Sequence, residues 1–286
     1  MFSKLGLVLI WGLFCFSVAT VAGTNGPAVD TTELEAFMAK WKANDSFFQY
    51  PNQPTDLPLI LAALAKEPDV RWAGYLGRQL DQPVWALRDL HGAAREEAAA
   101  KIVPTLIEAD RIITAAVKSN PTNYFDLAAQ NIQLQECLNQ LLLVSGSNYL
   151  HEAQAQARRI LAHLQPTGAW AHDHKVYVAN ELLGHVALHE GKLADARNYL
   201  RAAGQLQLSP DTHGPDHQLA REVLNHGEPA DREVVLAYLT DLINYYTQMK
   251  ATQPLAKLVA ESNLKTLIPD KEAIQAGQIP KNRQWY

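Results

Sequence analysis

Apolar residues recur at intervals of three and four along most of the chain, whereas strict alternation of apolar and polar residues is nowhere sustained. This period is typical of an amphipathic helix and not of a half-buried strand. Alanine, leucine and glutamine, which favour helices, are abundant throughout. The pattern therefore predicts an all-α protein.

In the N-terminal region, residues 23–120, this period predicts a series of separate helices. Residues 32–35 have the Thr-x-x-Glu spacing of a capping box, so the first helix is expected to begin there. A short helix is predicted at residues 70–80, and Pro83 is expected to start a long one, since proline is favoured in the first helical turn. Pro104 predicts either a kink in that helix or the first turn of the next.

Residues 119–121, Ser-Asn-Pro, predict a boundary after which the helices occur in pairs. Turn-forming residues separate the members of each pair, so three helical hairpins are expected, at residues 124–164, 175–206 and 215–247. The predicted organisation is a leader at residues 1–22, an N-terminal helical region at 23–120, helical repeats at 121–250, and C-terminal helices with a tail at 251–286.

The clearest hairpin carries small residues at regular intervals. The stretch from Tyr177 to Pro210 is 34 residues long, which is the period of a tetratricopeptide repeat. Small side chains let the two helices of such a hairpin approach closely, and a glycine between them supplies the positive φ that ends the first helix. We therefore expect a repeat that stacks on neighbouring hairpins to bury both of its faces. The residues at these positions are Leu183 and Gly184, Gly191, Ala196 and Ala203.

When the sequence is aligned with itself at an offset of 36 residues, the next hairpin matches the clearest one. Leucines, small residues and a glycine then coincide, which indicates a second copy of the same unit. The coinciding pairs are Leu183 with Leu219, Gly184 with Ala220, Leu188 with Leu224, and Gly191 with Gly227.

A series of short motifs runs through the same region, and it ends in a tail at residues 273–280. The motifs are Leu183-Gly184, Ala203-Gly204, Ser209-Pro210, Gly214-Pro215, Leu219-Ala220 and Gly227-Glu228. The series resembles that of a family of bacterial, exported, tetratricopeptide-repeat-like (TPR-like) proteins, from which Gln207 and His217 depart. The resemblance implies stacked antiparallel helical hairpins, a TPR-like α-solenoid, and it adds no activity.

The first 22 residues have the layout of a secretory signal peptide. Lys4 precedes an apolar run, and the small residues Ala19 and Ala22 offer two cleavage sites. An exported protein, periplasmic or secreted, is therefore expected. Two alternatives remain open: an uncleaved inner-membrane anchor, because the run approaches the length that spans a bilayer, and a lipid on Cys15.

The chain is mildly acidic, with a formal net charge of −5. It contains no basic tract or cationic stripe, which argues against nucleic acid and anionic lipid as partners. A membrane is expected as a partner only if the leader stays uncleaved. Without the leader, Cys137 is the only cysteine, so no internal disulfide can form, and its position in a leucine stripe predicts burial.

Histidines are concentrated in the hairpin region. His185 and His189 are four residues apart, a spacing that can present two imidazoles to a metal ion on one helix face. No glutamate lies between them as in a zinc-protease helix, and polar groups in a groove or solvated side chains account for them without a metal. The alternative function is a periplasmic metal-binding protein or enzyme that uses a histidine cluster, comprising His172, His174, His185, His189, His213 and His217.

No catalytic constellation is predicted. The residue types of a hydrolase triad occur at Asp211, His213, Asp216 and His217, with Ser209 nearby, but the serine lies in a Ser-Pro turn and not in a Gly-x-Ser-x-Gly elbow. The two acidic residues fit turn and helix-cap positions better. Neither an enzyme activity nor a cofactor is therefore expected.

In the TPR frame, one face of the first helix of the clearest hairpin lines a concave groove. The expected function is that of an exported scaffold or interaction protein that binds a protein or peptide partner in this groove, without catalysis. The residues expected to contact the partner are Val178, Glu181, His185, Leu188 and His189.

Overall fold

The described part of the chain consists of α-helices joined by turns, without strands, so the all-α prediction is confirmed. The structure is a computed structural model that describes residues 29–43, 57–87, 90, 92–162, 169–206 and 217–280. The helices within these ranges are α1 (Thr31–Lys42), α2 (Leu57–Lys66), α3 (Val70–Ala86), α4 (Ala93–Ser119), α5 (Phe125–Val144), α6 (Leu150–Ala162), α7 (Ala169–His189), α8 (Leu193–Gly204), α9 (Gln218–His226), α10 (Pro229–Thr252) and α11 (Lys257–Gln275).

The helix starts in the N-terminal region differ from those predicted. Asp30, and not Thr32, caps α1, because its carboxylate accepts a hydrogen bond from the Thr32 N–H at 2.7 Å. Pro83 does not start a helix but lies in the last turn of α3, where it lacks the N–H that would bond the carbonyl four residues earlier. The next helix begins only after Gly92, whose positive φ of 55° lies outside the conformation of a right-handed helix.

Helix α4 continues through Pro104, so the second of the two predicted outcomes, the first turn of a new helix, is wrong. Proline has no N–H, so the carbonyl of Ala100 loses its usual partner four residues on. The hydroxyl of Tyr149 donates to that carbonyl at 3.0 Å and replaces the missing bond. A side chain from the turn after α5 thereby keeps a 27-residue helix intact.

Two hydrophobic cores share helix α7. The first core draws on α1 to α6 and includes Leu182 and Val186 of α7. The second core draws on α8 to α11 and includes Tyr177 and Leu188 of the same helix. Helix α7 packs on α6 and on α8, α8 packs on α10, and α10 packs on α11.

Cys137 is less buried than predicted. Its side chain packs against the first core but is only half-buried.

Gly191 ends helix α7 as predicted. Its φ is 74°, and its N–H bonds to the carbonyl of Leu188 at 3.0 Å, while the N–H of Lys192 bonds to that of Ala187 at 2.8 Å. These two bonds form a Schellman motif, which turns the chain directly into α8. Gly227, its partner in the 36-residue frame, ends α9 with a φ of 81°.

Gly184 allows a close approach, but to a different helix from the one expected. A Cβ at this position would lie 2.3 Å from a methyl carbon of Leu219, so the closest neighbour of Gly184 belongs to α9. Gly204 does the same between α8 and α10, where a Cβ would lie 3.1 Å from the Cα of Tyr238. Both glycines leave room for residues of the next hairpin.

Polar groups hold the helices of the first core together. The carboxylate of Asp110, on α4, is buried and accepts hydrogen bonds from Asn131 at 3.0 Å and Gln135 at 2.8 Å, both on α5. Arg159 of α6 forms an ion pair with the same carboxylate. Because a buried charge is costly without partners, this set fixes the relative positions of α4, α5 and α6.

A similar arrangement joins the hairpins of the second core. Arg197, on α8, donates to the fully buried carboxylate of Asp231 at 2.8 Å and also pairs with Glu228. Asp231 in turn accepts from the Glu228 N–H at 2.8 Å as part of the capping box of α10. One carboxylate therefore both starts α10 and attaches it to α8.

We expect Gly184→Leu to lower the free energy of unfolding by about 1–3 kcal/mol, because the added side chain overpacks the contact with Leu219. Combining it with Leu219→Ala should cost less than the sum of the two single losses, since the smaller residue vacates the same space. Urea denaturation of the wild type, the two single variants and the double variant, which form a double-mutant cycle, measures the single losses and their combination.

Gly77, in α3, is the control for this cycle. A Cβ there would meet its nearest side-chain atom at 3.6 Å, an ordinary contact. Gly77→Ala should therefore raise the free energy of unfolding, by about 0.5–1 kcal/mol, through helix propensity alone. Strictly additive losses at Gly184 and Leu219 would contradict the close approach of α7 and α9.

Candidate functional site

The five residues predicted to line a groove lie along α7, but most of them are covered. Val178 is half-buried, and Glu181 and His185 are each only 1% exposed. Leu188 is 8% exposed and belongs to the second core, so only His189 is exposed. The expectation that these side chains form an open surface is therefore wrong for Glu181, His185 and Leu188.

Two elements cover this face of α7. One is the 3₁₀ turn Gly146–Tyr149 that follows α5, and the other is α9. His185 contacts both, because its Nε2 lies 3.1 Å from the carbonyl oxygen of Gly146 and its Nδ1 lies 2.9 Å from Oε2 of Glu222. A single imidazole thus connects α7 to an element on either side.

The partners of His185 define the protonation state of its ring in this arrangement. A backbone carbonyl and an ionised carboxylate are acceptors only, so with Glu222 ionised this arrangement favours the imidazolium, in which both ring nitrogens donate. Burial alone would lower the pKa of His185, but the hydrogen bond and the charge of Glu222 raise it above its ordinary value.

Glu222, on α9, was not predicted from the sequence. Burial would raise the pKa of its carboxyl group, but the hydrogen bond from His185 holds that pKa below its usual range. Its other oxygen accepts from Nε2 of Gln218 at 2.6 Å, one turn earlier on the same helix. Glu222 lies 37 residues after His185, so no local spacing could connect the two.

His189 lies next to this pair at the exposed end of α7. The centroids of its ring and the His185 ring are 4.5 Å apart, with the planes inclined at 67°. Partial burial, followed by the positive charge of His185, lowers the pKa of His189. The predicted proximity of the two imidazoles is therefore confirmed, with one of them buried and the other open to solvent.

Among the described residues, one group has the composition and spacing to hold a metal ion. It consists of His185, His189 and Glu222, whose ligand atoms all lie within 4.8 Å of one another. Glu96, on α4, adds a further negative charge that acts on both imidazoles.

The other histidines do not join this group. His217 is fully buried and its Nδ1 lies 3.3 Å from the hydroxyl of Tyr238, which lies 3.2 Å from the hydroxyl of Tyr177. His174 is half-buried, and burial lowers its pKa although the charge of Glu136 opposes this. The six-histidine cluster is therefore not assembled within the described residues. His213 and the side chain of His172 lie outside them.

The remaining predicted features fall outside the structural description. Ser209, Asp211 and Asp216, with the residue types of a hydrolase, belong to the segment 207–216, which is not described. The same holds for the leader at residues 1–22. Among the described helices, none combines the length and apolar composition needed to cross a membrane.

Comparison with known protein families, with curated proteins and with solved structures found no match for this chain.

The buried His217 predicts acid sensitivity. Burial lowers its pKa to about 3, from about 6.5 in an unfolded chain. Between these values the unfolded chain binds a proton that the folded chain does not, so the free energy of unfolding should fall by about 1.4 kcal/mol for each pH unit below 6.5. His217→Gln should reduce this slope between pH 6 and 4, roughly by one proton's contribution, in urea denaturation at each pH.

The control is His226→Gln, which replaces an exposed histidine at the other end of α9. This change should preserve the wild-type dependence on pH. An unchanged slope in His217→Gln would mean that another group dominates the acid sensitivity.

Proposed function

We propose that this protein is an exported, TPR-like scaffold that binds a protein or peptide partner and has no catalytic activity of its own. The observation that carries the proposal is the order of packing. From α6 onward, helices pack on those one or two positions away in the chain, with α7 between α6 and α8, α8 against α10, and α10 against α11. Proteins built in this way present extended surfaces formed by several successive helices, which suit binding.

The details of the hairpins support a TPR-like α-solenoid. Gly191 and Gly227 both have a positive φ and are 36 residues apart, as the proposed repeat requires. Gly184 and Gly204 lie where one hairpin packs on the next, and Ala196 is fully buried. Membership of the TPR-like family, and export through residues 1–22, rest on the sequence pattern and form part of the proposal.

The burial of α7 limits where a partner can bind. Glu181 and His185 are buried, and α9 and the turn after α5 cover His185, so the exposed part of the predicted face is the end of α7. There the chain exposes His189, Glu190 and Lys192, the last two joined by an ion pair of 2.7 Å. We propose this exposed end, which also carries the α7–α8 turn, as part of the partner-binding surface.

Site-specific photocrosslinking tests this proposal. A photoreactive amino acid at Glu190 of the full chain, expressed in its native compartment, should form a covalent adduct with one defined polypeptide, identified by mass spectrometry. Position 190 is chosen because it keeps both His185 and His189 intact.

The matched control is Glu97, on α4. It carries the same charge as Glu190 and also forms an ion pair, with Lys101, but lies in a different region. Its side chain is 72% exposed, against 38% for Glu190, so it is at least as accessible to a partner. Adducts at position 190 but not at 97 support the proposal. The same adducts at both positions, or none at position 190, would contradict a partner-binding surface at the end of α7.

A further inference from the structure

We propose that His185, His189 and Glu222 form a binding site for a divalent transition-metal ion of the zinc type, which joins α7 to α9. The two histidines are one helical turn apart on α7 and present their imidazoles side by side, with ring centroids 4.5 Å apart. Glu222 approaches from α9, with Oε2 2.9 Å from Nδ1 of His185. The proposal does not rest on the scaffold function, and the two share only His189.

The spacing of the ligand atoms fits a zinc ion. Zinc binds imidazole nitrogen and carboxylate oxygen at about 2.1 Å, so ligand atoms around a tetrahedral ion lie about 3.4 Å apart. The ligand atoms of the three residues are within 4.8 Å of one another. Small rotations of the exposed His189 side chain therefore suffice to bring all three onto one ion.

Hydrogen bonds already orient the two less exposed ligands. A histidine that binds a metal usually donates its second N–H to a carbonyl or carboxylate. His185 does so through Nε2 to the carbonyl of Gly146 at 3.1 Å, which leaves Nδ1 as the ligand. Gln218 holds the other oxygen of Glu222 at 2.6 Å. The ion replaces the proton between His185 and Glu222 and leaves these supporting bonds unchanged.

The donor set indicates the class of ion. Two nitrogens and one oxygen, without sulfur, favour zinc and its neighbours over soft ions such as Cu(I). Three protein ligands leave one tetrahedral position for water or another small ligand, and exposed His189 gives the ion a path from solvent. The charge of Glu96, which acts on both imidazoles, adds to the attraction for a cation.

Metal titration of the full chain, without an affinity tag and after chelator treatment, tests the site. Co²⁺ should bind with a stoichiometry of one and give the intense visible absorption of a tetrahedral ion, and Zn²⁺ should displace it. His189→Ala should weaken binding by at least about tenfold, since even changes to outer-shell residues cost about 10–100-fold. Because His189 is exposed and alanine favours helices, this variant should fold as the wild type does. Circular dichroism checks its helix content.

Two further variants complete the test. Glu222→Gln has nearly the same shape but loses the ligand charge, and should also weaken Co²⁺ binding. His226→Ala removes an exposed histidine from the end of α9 and should bind Co²⁺ as the wild type does. Zn²⁺ at a concentration that saturates the wild type should raise the Tm of wild type and of His226→Ala, and should raise that of His189→Ala less. The proposal would be overturned if the wild type bound no stoichiometric Co²⁺, or if both His189→Ala and Glu222→Gln bound it as the wild type does.

Discussion

The structure depends on one helix being buried on two sides. Helix α7 contributes Leu182 and Val186 to the first core and Tyr177 and Leu188 to the second, so neither core is complete without it. Between Tyr177 and Leu188 no residue of this helix is exposed. Its polar residues must find partners inside the protein, and His185 does so through Gly146 on one side and Glu222 on the other.

The same constraint explains why the buried charges lie where helices meet. Asp110 joins three helices of the first core, and Asp231 joins α8 to the start of α10 in the second. Apolar packing fixes the distance between helices but tolerates sliding, whereas a buried carboxylate needs particular donors at particular positions. These charges therefore specify the register of the helices, and His185 has the same role at the junction between the cores.

Local features of the structure were predictable from the sequence, and contacts between distant segments were not. The apolar period of three and four predicts helices, and Gly191 predicts the end of one helix. Both predictions depend only on residues a few positions apart, and both are confirmed. The contact of Gly184 with Leu219 and the pairing of His185 with Glu222 join segments more than thirty residues apart. The sequence pattern did not reveal that α9 covers α7, so it predicted an open groove where the structure has a junction.

The central claim is that α7 makes the two cores one cooperative unit. Native-state hydrogen exchange at low concentrations of urea tests it most directly, because it measures the opening free energy of each helix separately. The account predicts that amides of α4, in the first core, and of α10, in the second, reach the same opening free energy with the same dependence on urea. Exchange of α10 through an opening that leaves α4 protected would contradict it.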